Sequence, residues 1–372
     1  MHVAWLFEYP TLHGGERSLL AAWPALKSAG VCATAIAPAR GPLAQALAQN
    51  GIEVVAFVTS DEHCRRRSLE RLRGDLECAL SRLRPELLHA NSLAMGRLSG
   101  PVASKLRLPS VAHLRDIIKV SQAVVADLNR HRRLLAVSNA TRDFHLAQGL
   151  MADKTHVLYN GVDLDRLRPK AATNWLKRRL GLASEAMLVG AIGQIVMRKA
   201  LDVLARAAAR LAETHRNVHW IIAGSRHSQK PEAVRFEAEL HACFHAAGLA
   251  SRAHFLGTLD RIDDLLPELT LLVHPARQEP LGRVLLEAAA SGVACVASDV
   301  GGTREIFPPQ ANAARLVPVG DEIALADAIS ELLADGGERR RMAQAARRRA
   351  EEAFDICTSA AGLFEHYRMA CS

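Results

Sequence analysis

Apolar residues along this chain gather in short dense runs, and between the runs they thin out to a single helical face. In the first half the runs are "HVAWLF", "CATAIA", "IEVVAFV", "ELLHA", "SVAHL", "RLLAVS" and "THVLYN"; in the second they are "MLVGAIGQ", "VHWIIAG", "AHFLG", "LTLLVHPA" and "VACVASD". Each is brief and nearly all apolar, as parallel strands are when both faces are covered. Over residues 62–84, Leu69, Leu72, Leu76, Leu80 and Leu83 recur at helical spacing and predict a helix. Pro24, inside "ERSLLAAWPALKSAG", predicts a kink or break in the first helix. Alternating strand and helix predict a doubly wound α/β architecture. The alternation lapses over residues 160–172, "NGVDLDRLRPKAA", where Asn-Gly and Arg-Pro signal turns. The pattern therefore predicts two Rossmann-like domains, a linker, and an interdomain cleft with ligands beyond the carboxyl ends of the strands.

Length and composition agree with that outline. A chain of 372 residues suits about two domains, and 49% hydrophobic against 23% charged residues lets each bury a core. No apolar run approaches the ~18 residues that span a bilayer. The opening "MHVAWLFEYPTLHGGERS" lacks a basic leader and reaches Glu8 at once, so it reads as a first strand rather than a signal peptide. Seven scattered cysteines without a CxxC favour reduced thiols and a cytoplasmic protein.

The formal charge of +8 attracts anions without choosing among them: nucleotides, phosphorylated acceptors, anionic lipid or nucleic acid. Only 4% of residues are aromatic and no nucleic-acid motif is present, so nucleic-acid binding is the weaker reading. The basic runs at 64–75 and 130–133 read either as solvated surface or as a peripheral contact with an anionic membrane face or acceptor. The tail "ERRRMAQAARRRAEEAF" reads as a helix with a solvated face. In "HACFH", His241, Cys243 and His245 put two histidines at i and i+4 on one helix face, a possible metal pair, but no third ligand is evident, so a plain helix face is favoured there.

Chemistry concentrates in "RQEPLGRVLLEAAASG", residues 277–292. A strand ends at His274-Pro275, a loop carries Glu279, and a helix follows Gly282. The start of such a helix presents unpaired backbone amides and a positive dipole end, which suits a diphosphate. Gly282 leaves room for the phosphate to approach, and Glu279 stands level with whatever the phosphate carries. Glu287, farther in, suits a vicinal diol such as ribose. On these residues alone, a loop acid and a helix-surface acid remain an equal reading.

The run from 255 to 307 resembles the donor half of the family 4 retaining glycosyltransferases, which have the GT-B fold and an E-x7-E motif. Glu279 and Glu287 match that motif. The resemblance implies that Glu279 meets sugar hydroxyls, that Glu287 meets the ribose, and that the stretch Pro280, Leu281, Gly282 and Arg283 lies against the donor, its amides on the diphosphate. It extends over most of the chain. "HGGERSLL" resembles the family's first glycine loop, with Gly14 and Gly15 under the phosphates. "PSVAHLRD" places His113 where the family has a histidine facing the donor sugar. "GAIGQIVMRKALDVLARA" matches its basic loop, with Lys199 as the phosphate-binding lysine, and Gly257, Thr258 and Leu259 fall near the base. Two departures stand out. Gln194 occupies the place of a frequent arginine, leaving Arg198 or Arg283 as substitutes. Ala200 occupies the place of a glycine.

The resemblance implies an amino-terminal acceptor domain, 1–168, completed by residues 354–372, and a donor domain, 169–353. It implies a metal-independent hexosyltransferase that uses a nucleoside-diphosphate sugar, UDP-sugar before GDP-mannose, and a hydroxyl acceptor in glycan or glycolipid synthesis. No cofactor is then expected beyond the donor itself. Lys199 and the helix-end amides would stabilise the leaving diphosphate, and His113 is the nearest catalytic candidate. Asp163 and Asp165 spell a metal-type DxD but sit in the linker. A GT-B epimerase and a non-catalytic sugar-nucleotide binder are the alternatives.

Overall fold

The structure, a computed structural model, describes residues 1–60 and 65–372. It divides into two compact units, Met1–Gly161 with Ile356–Ser372, and Val162–Asp355. Each unit is built around one parallel sheet.

The first sheet comprises β1 (His2–Leu6), β2 (Cys32–Ala37), β3 (Glu53–Ala56), β4 (Leu87–Ala90), β5 (Ser110–Leu114), β6 (Arg133–Ala136) and β7 (Thr155–Val157). Their spatial order is β3-β2-β1-β4-β5-β6-β7, so the winding reverses between β1 and β4. Val3 pairs with Leu87 and Leu6 with Ala90 across that seam. Parallel neighbours need long crossovers, and here helices supply them on both faces. Leu72, Leu76, Leu98 and Leu128 belong to the core on one face. Leu19, Trp23, Leu43 and Tyr367 belong to the core on the other. Tyr367 comes from the final helix, Ile356–Cys371, which packs on the first helix, Gly14–Ser28.

The second sheet comprises β8 (Met187–Ile192), β9 (Val218–Ala223), β10 (Ala253–Gly257), β11 (Leu271–His274), β12 (Cys295–Ser298) and β13 (Arg315–Val317). Its order is β10-β9-β8-β11-β12-β13, with the reversal between β8 and β11. Val189, Trp220, Leu271 and Val296 belong to one continuous core with Leu204, Phe244 and Ile329 from the helices.

Every apolar run named above holds a strand; β13 was not expected. The helix expected over 62–84 is Leu69–Leu83, capped by Ser68, whose hydroxyl accepts from the Arg71 amide at 3.2 Å. Before it, Arg66 bridges to Ser60 instead. Glu62 and Cys64 lie outside the described residues. Pro24 does not break the first helix, which runs unbroken over Gly14–Ser28. An internal proline costs ~3 kcal/mol. Leu19, Trp23 and Leu26 of that helix are buried, each worth about 1.5–3 kcal/mol, so packing prevails.

The arginine-rich tail forms the helix Gly336–Ala353, with Arg340, Arg341 and Arg348 on its exposed face and Arg347 only 19% exposed. Arg347 Nη1 donates to the carbonyls of Leu167 at 2.8 Å and Ala290 at 2.7 Å. The 130–133 run is likewise engaged. His131 is buried against Ser110 and the Gly96 carbonyl, Arg132 donates to the Ala370 carbonyl, and Arg133 donates to His366. Among the described residues, no helix is long and apolar enough to cross a membrane.

Candidate functional site

In the second unit the strand order reverses between β8 and β11, and the loops leaving their carboxyl ends carry the candidate donor residues. The loop after β8 passes Gly193 and Gln194, makes the short turn Met197–Lys199, and enters the helix Leu201–Leu211. The loop after β11 leaves His274 and enters the helix Arg283–Ala290. A cavity of ≈ 10 Å³ lies between them, lined in part by Gly193, Gln194, Lys199, His274 and Pro275.

Lys199 and Glu279 meet there. Glu279 Oε2 accepts from Lys199 Nζ at 2.5 Å and from His274 Nε2 at 2.7 Å. All three side chains are largely buried. Burial pushes the Glu279 carboxyl up, but the Lys199 charge and the His274 hydrogen bond outweigh it and hold the carboxyl well below its usual range. Burial lowers the Lys199 ammonium against the pull of Glu279. Burial, then the Lys199 charge, lowers His274, so its ring is neutral and donates through Nε2–H.

The loop that carries Glu279 is held by two glycines. Gly282 has φ +106, and a Cβ there would sit 2.9 Å from Leu285 Cδ1 and 3.4 Å from Glu279 Cγ. Gly302, from the turn after β12, donates its amide to the Glu279 carbonyl at 3.0 Å. A Cβ on Gly302 would stand 2.5 Å from the Pro280 carbonyl oxygen and 2.7 Å from Leu281 Cα. Pro280 and Leu281 therefore rest directly on a bare backbone. The helix they lead into begins with amides that have no partner within the helix. Four positions along it, Glu287 Oε1 accepts from Arg283 Nε at 2.7 Å, which commits that guanidinium to Glu287.

Arg277 ties the two loops together. Its amide donates to the Arg198 carbonyl at 2.8 Å and its Nη1 to the Met197 carbonyl at 2.9 Å. Nη1 and Nη2 also reach Asp202 at 2.8 and 2.6 Å, a bidentate pair. Arg198 itself is exposed. Ala200, in the place of a glycine, adopts φ +52 and is fully buried. The left-handed conformation costs ~1–2 kcal/mol. One buried methyl returns ~0.8 kcal/mol, and alanine's smaller chain entropy returns ~0.4–1 kcal/mol. The balance is near zero, which explains why alanine is tolerated. At the end of β10, Gly257 has φ +67, Thr258 Oγ1 donates to Ser225 Oγ at 3.1 Å, and Leu259 follows half-buried.

In the first unit, Gly14 and Gly15 open the helix Gly14–Ser28. A Cβ on Gly15 would sit 2.9 Å from Arg115 Cδ, so this glycine admits an arginine beside the loop. Arg115 in turn donates to Asn91 Oδ1 at 2.9 Å and to Asn160 Oδ1 at 2.8 Å. His113 is buried at the end of β5, with its Nδ1 2.7 Å from His89 Nε2. Burial, then the Arg115 charge, lowers both histidines well below their ordinary value, so both rings are neutral.

The structure thus joins Lys199 to Glu279, Arg283 to Glu287, and Gly15 to Arg115. Asp163 is part of a turn, its Oδ1 accepting the amides of Asp165 and Arg166. His241 stacks on Phe255, ring centroids 3.8 Å apart. Sequence reasoning missed His274, Asp202, Arg115 and Gly302. The Gly-Gly pair at 301–302 was a readable signal; the partners of His274 and Asp202 were not.

Residues 174–349 match the family model of glycosyl transferases group 1, and residues 12–166 match that of glycosyltransferase family 4. A D-inositol 3-phosphate glycosyltransferase of Salinispora arenicola is 32% identical over 316 residues, covering 76% of this chain and 68% of the relative. A GDP-mannose-dependent alpha-mannosyltransferase of Mycobacterium tuberculosis is 29% identical over 290 residues, 76% of this chain and 70% of that one. Among solved structures, Anabaena Alr3699/HepE in complex with UDP-glucose shares the fold with a TM-score of 0.86 at 24% identity, over 99% of this chain and 100% of that one.

Proposed function

The chain belongs to the family 4 glycosyltransferases of the GT-B fold, and from that premise we propose that it moves a hexosyl group from a nucleoside-diphosphate sugar to a hydroxyl acceptor with retention of configuration. The observation that carries this reading is the buried cluster of Lys199, His274 and Glu279 beside the loop held by Gly282 and Gly302. It brings a cation, a carboxylate and a helix start to the carboxyl ends of β8 and β11.

In this reading the diphosphate lies on the amides of Leu281, Gly282 and Arg283 and draws on the Lys199 charge. Glu279 and His113 meet the sugar hydroxyls, and Glu287 meets the ribose. The bond between the anomeric carbon and the diphosphate oxygen breaks, and negative charge grows on the phosphate, where fixed donors stabilise it. The acceptor oxygen bonds to the same face of the anomeric carbon, and its proton passes to the departing phosphate oxygen. No side chain is then needed as base, and no metal is needed for the charge. His274 holds Glu279 in place from within the protein.

A UDP-sugar is the preferred donor, supported by the HepE complexes with UDP and UDP-glucose. GDP-mannose is the second candidate, supported by the mannosyltransferase relative. A thermal-shift screen of UDP-, GDP-, ADP- and dTDP-sugars tests the reading, because a ligand that binds only the folded chain raises its melting temperature. One nucleotide family should stabilise the protein, and the product anomer should match the donor by NMR. Stabilisation by none of them, or an inverted product, would overturn the proposal.

A further inference from the structure

Three side chains form a hydrogen-bonded chain through the interior of the first unit. Tyr367 Oη lies 2.6 Å from His89 Nδ1, and His89 Nε2 lies 2.7 Å from His113 Nδ1. His89 and Tyr367 are fully buried, and His113 is 3% exposed. Both imidazoles are neutral, so each has one N–H donor and one bare acceptor nitrogen. The direction of one bond in the chain therefore fixes the direction of the next.

Two arrangements are available. In the first, Tyr367 donates to His89 Nδ1, His89 donates from Nε2 to His113 Nδ1, and the His113 proton sits on Nε2. In the second every bond reverses, and His113 Nε2 is left bare.

The surroundings of Tyr367 choose between them. Its bond to His89 is the one hydrogen bond of its oxygen among the described residues. If Tyr367 accepted there, its own buried O–H would have no acceptor, and a wasted buried donor is costlier than an unused lone pair. Trp5 pushes the same way. Its Nε1 is buried without a hydrogen-bond partner, and its N–H favours negative charge on the Tyr367 oxygen. An indole N–H can only donate, so it turns the phenolic proton away, towards His89.

We propose that Tyr367, acting through His89, holds His113 as the Nε2–H tautomer, so that His113 meets the donor sugar as a hydrogen-bond donor to one of its oxygens. Tyr367 and His89 are positioning residues for this contact, and Tyr367 arrives from 278 positions farther along the chain. The proposal rests on the reading that His113 faces the sugar. Its Nε2 is the atom to do so, since it has no hydrogen-bond partner among the described residues.

Long-range 1H–15N correlation spectra of the full chain, labelled at histidine, read the tautomer directly. The His113 signals, identified by their loss in His113→Gln, should show a protonated Nε2 and a bare Nδ1. Tyr367→Phe removes the proton that orders the chain. It should convert His113 to a mixture of tautomers and lower kcat about tenfold, the worth of one hydrogen bond. A protonated Nδ1 or an imidazolium in the wild type would overturn the proposal, as would an unchanged tautomer in folded Tyr367→Phe. The wild-type spectrum alone decides the tautomer, so a variant that failed to fold would not shelter the idea. The nucleotide-sugar screen tests the functional reading and the imidazole spectrum tests the relay, so either failure shows separately.

Discussion

Removing the Lys199 ammonium should destabilise the second unit and, in doing so, reverse how its stability responds to acid. Glu279 is 7% exposed and Lys199 14%, so Lys199→Met leaves a carboxylate with little solvent and one neutral donor, His274. Taking one partner from a buried ion pair costs ~3–5 kcal/mol. For a unit of this size each kcal/mol moves Tm by ~2–4 °C, so a fall of about 6–20 °C is expected. In the wild type the Glu279 carboxyl titrates below its unfolded value, so its contribution is complete above about pH 4.3 and is lost as pH falls through the folded pKa. Without Lys199, burial raises the carboxyl with His274 alone among those partners left to oppose it, and the carboxyl is expected to rise above its unfolded value. The variant then gains stability on acidification, and the gap between the two chains should shrink from about pH 8 to about pH 5. The double variant Lys199→Met with Glu279→Gln removes both charges and should recover most of the lost Tm. It should still turn over at least ~10²-fold more slowly, because the charge facing the leaving group is gone. Calorimetric melts across pH, with turnover measured on the same samples, provide the test. A Lys199→Met chain that melts within ~2 °C of wild type at about pH 8, or a gap that widens in acid, would refute the reasoning.

Glu287→Ala should weaken binding of the free nucleoside diphosphate in titration calorimetry while the fold persists; unchanged affinity would remove Glu287 from the site. Gly302→Ala has an ordinary backbone conformation to adopt, yet its Cβ would stand 2.5 Å from the Pro280 carbonyl oxygen. It should cost ~1–3 kcal/mol of stability and, by moving the Glu279 loop, about 10²-fold in kcat; a variant with wild-type kcat would show that the loop position does not matter. Transfer should survive EDTA at full rate. Complete loss, restored by manganese or magnesium, would return Asp163 and Asp165 to consideration as ligands.

The strands were legible because parallel strands covered on both faces must be apolar almost throughout. β13 escaped because its three residues, Arg315–Val317, pair on one side only and two of them stay partly exposed. The start of the helix Leu69–Leu83 could have been read from Ser68, a capping residue directly before the first leucine of the repeat. The break expected at Pro24 does not occur, because packing overrides the local penalty. Glu279, Glu287 and Lys199 stood out by type and spacing within their loops. Arg277 and Arg347 did not, since their roles depend on carbonyls and a carboxylate brought in by other segments. Tyr367 and His89 are the extreme case, two ordinary residues whose relation exists only after folding.

The return of the last helix to the first unit also has a consequence during synthesis. Trp5, Trp23 and His89 leave the ribosome early, but Tyr367, which belongs to the same buried layer, cannot join them until Val162–Asp355 has been translated. At ~5–20 residues per second that delay is on the order of 10–40 s, far longer than a domain of this kind needs to collapse. Throughout that interval the second unit is itself still being made, and the first waits with an apolar face open. The nascent chain is therefore most exposed to aggregation, and most in need of a chaperone, in the portion that was made first.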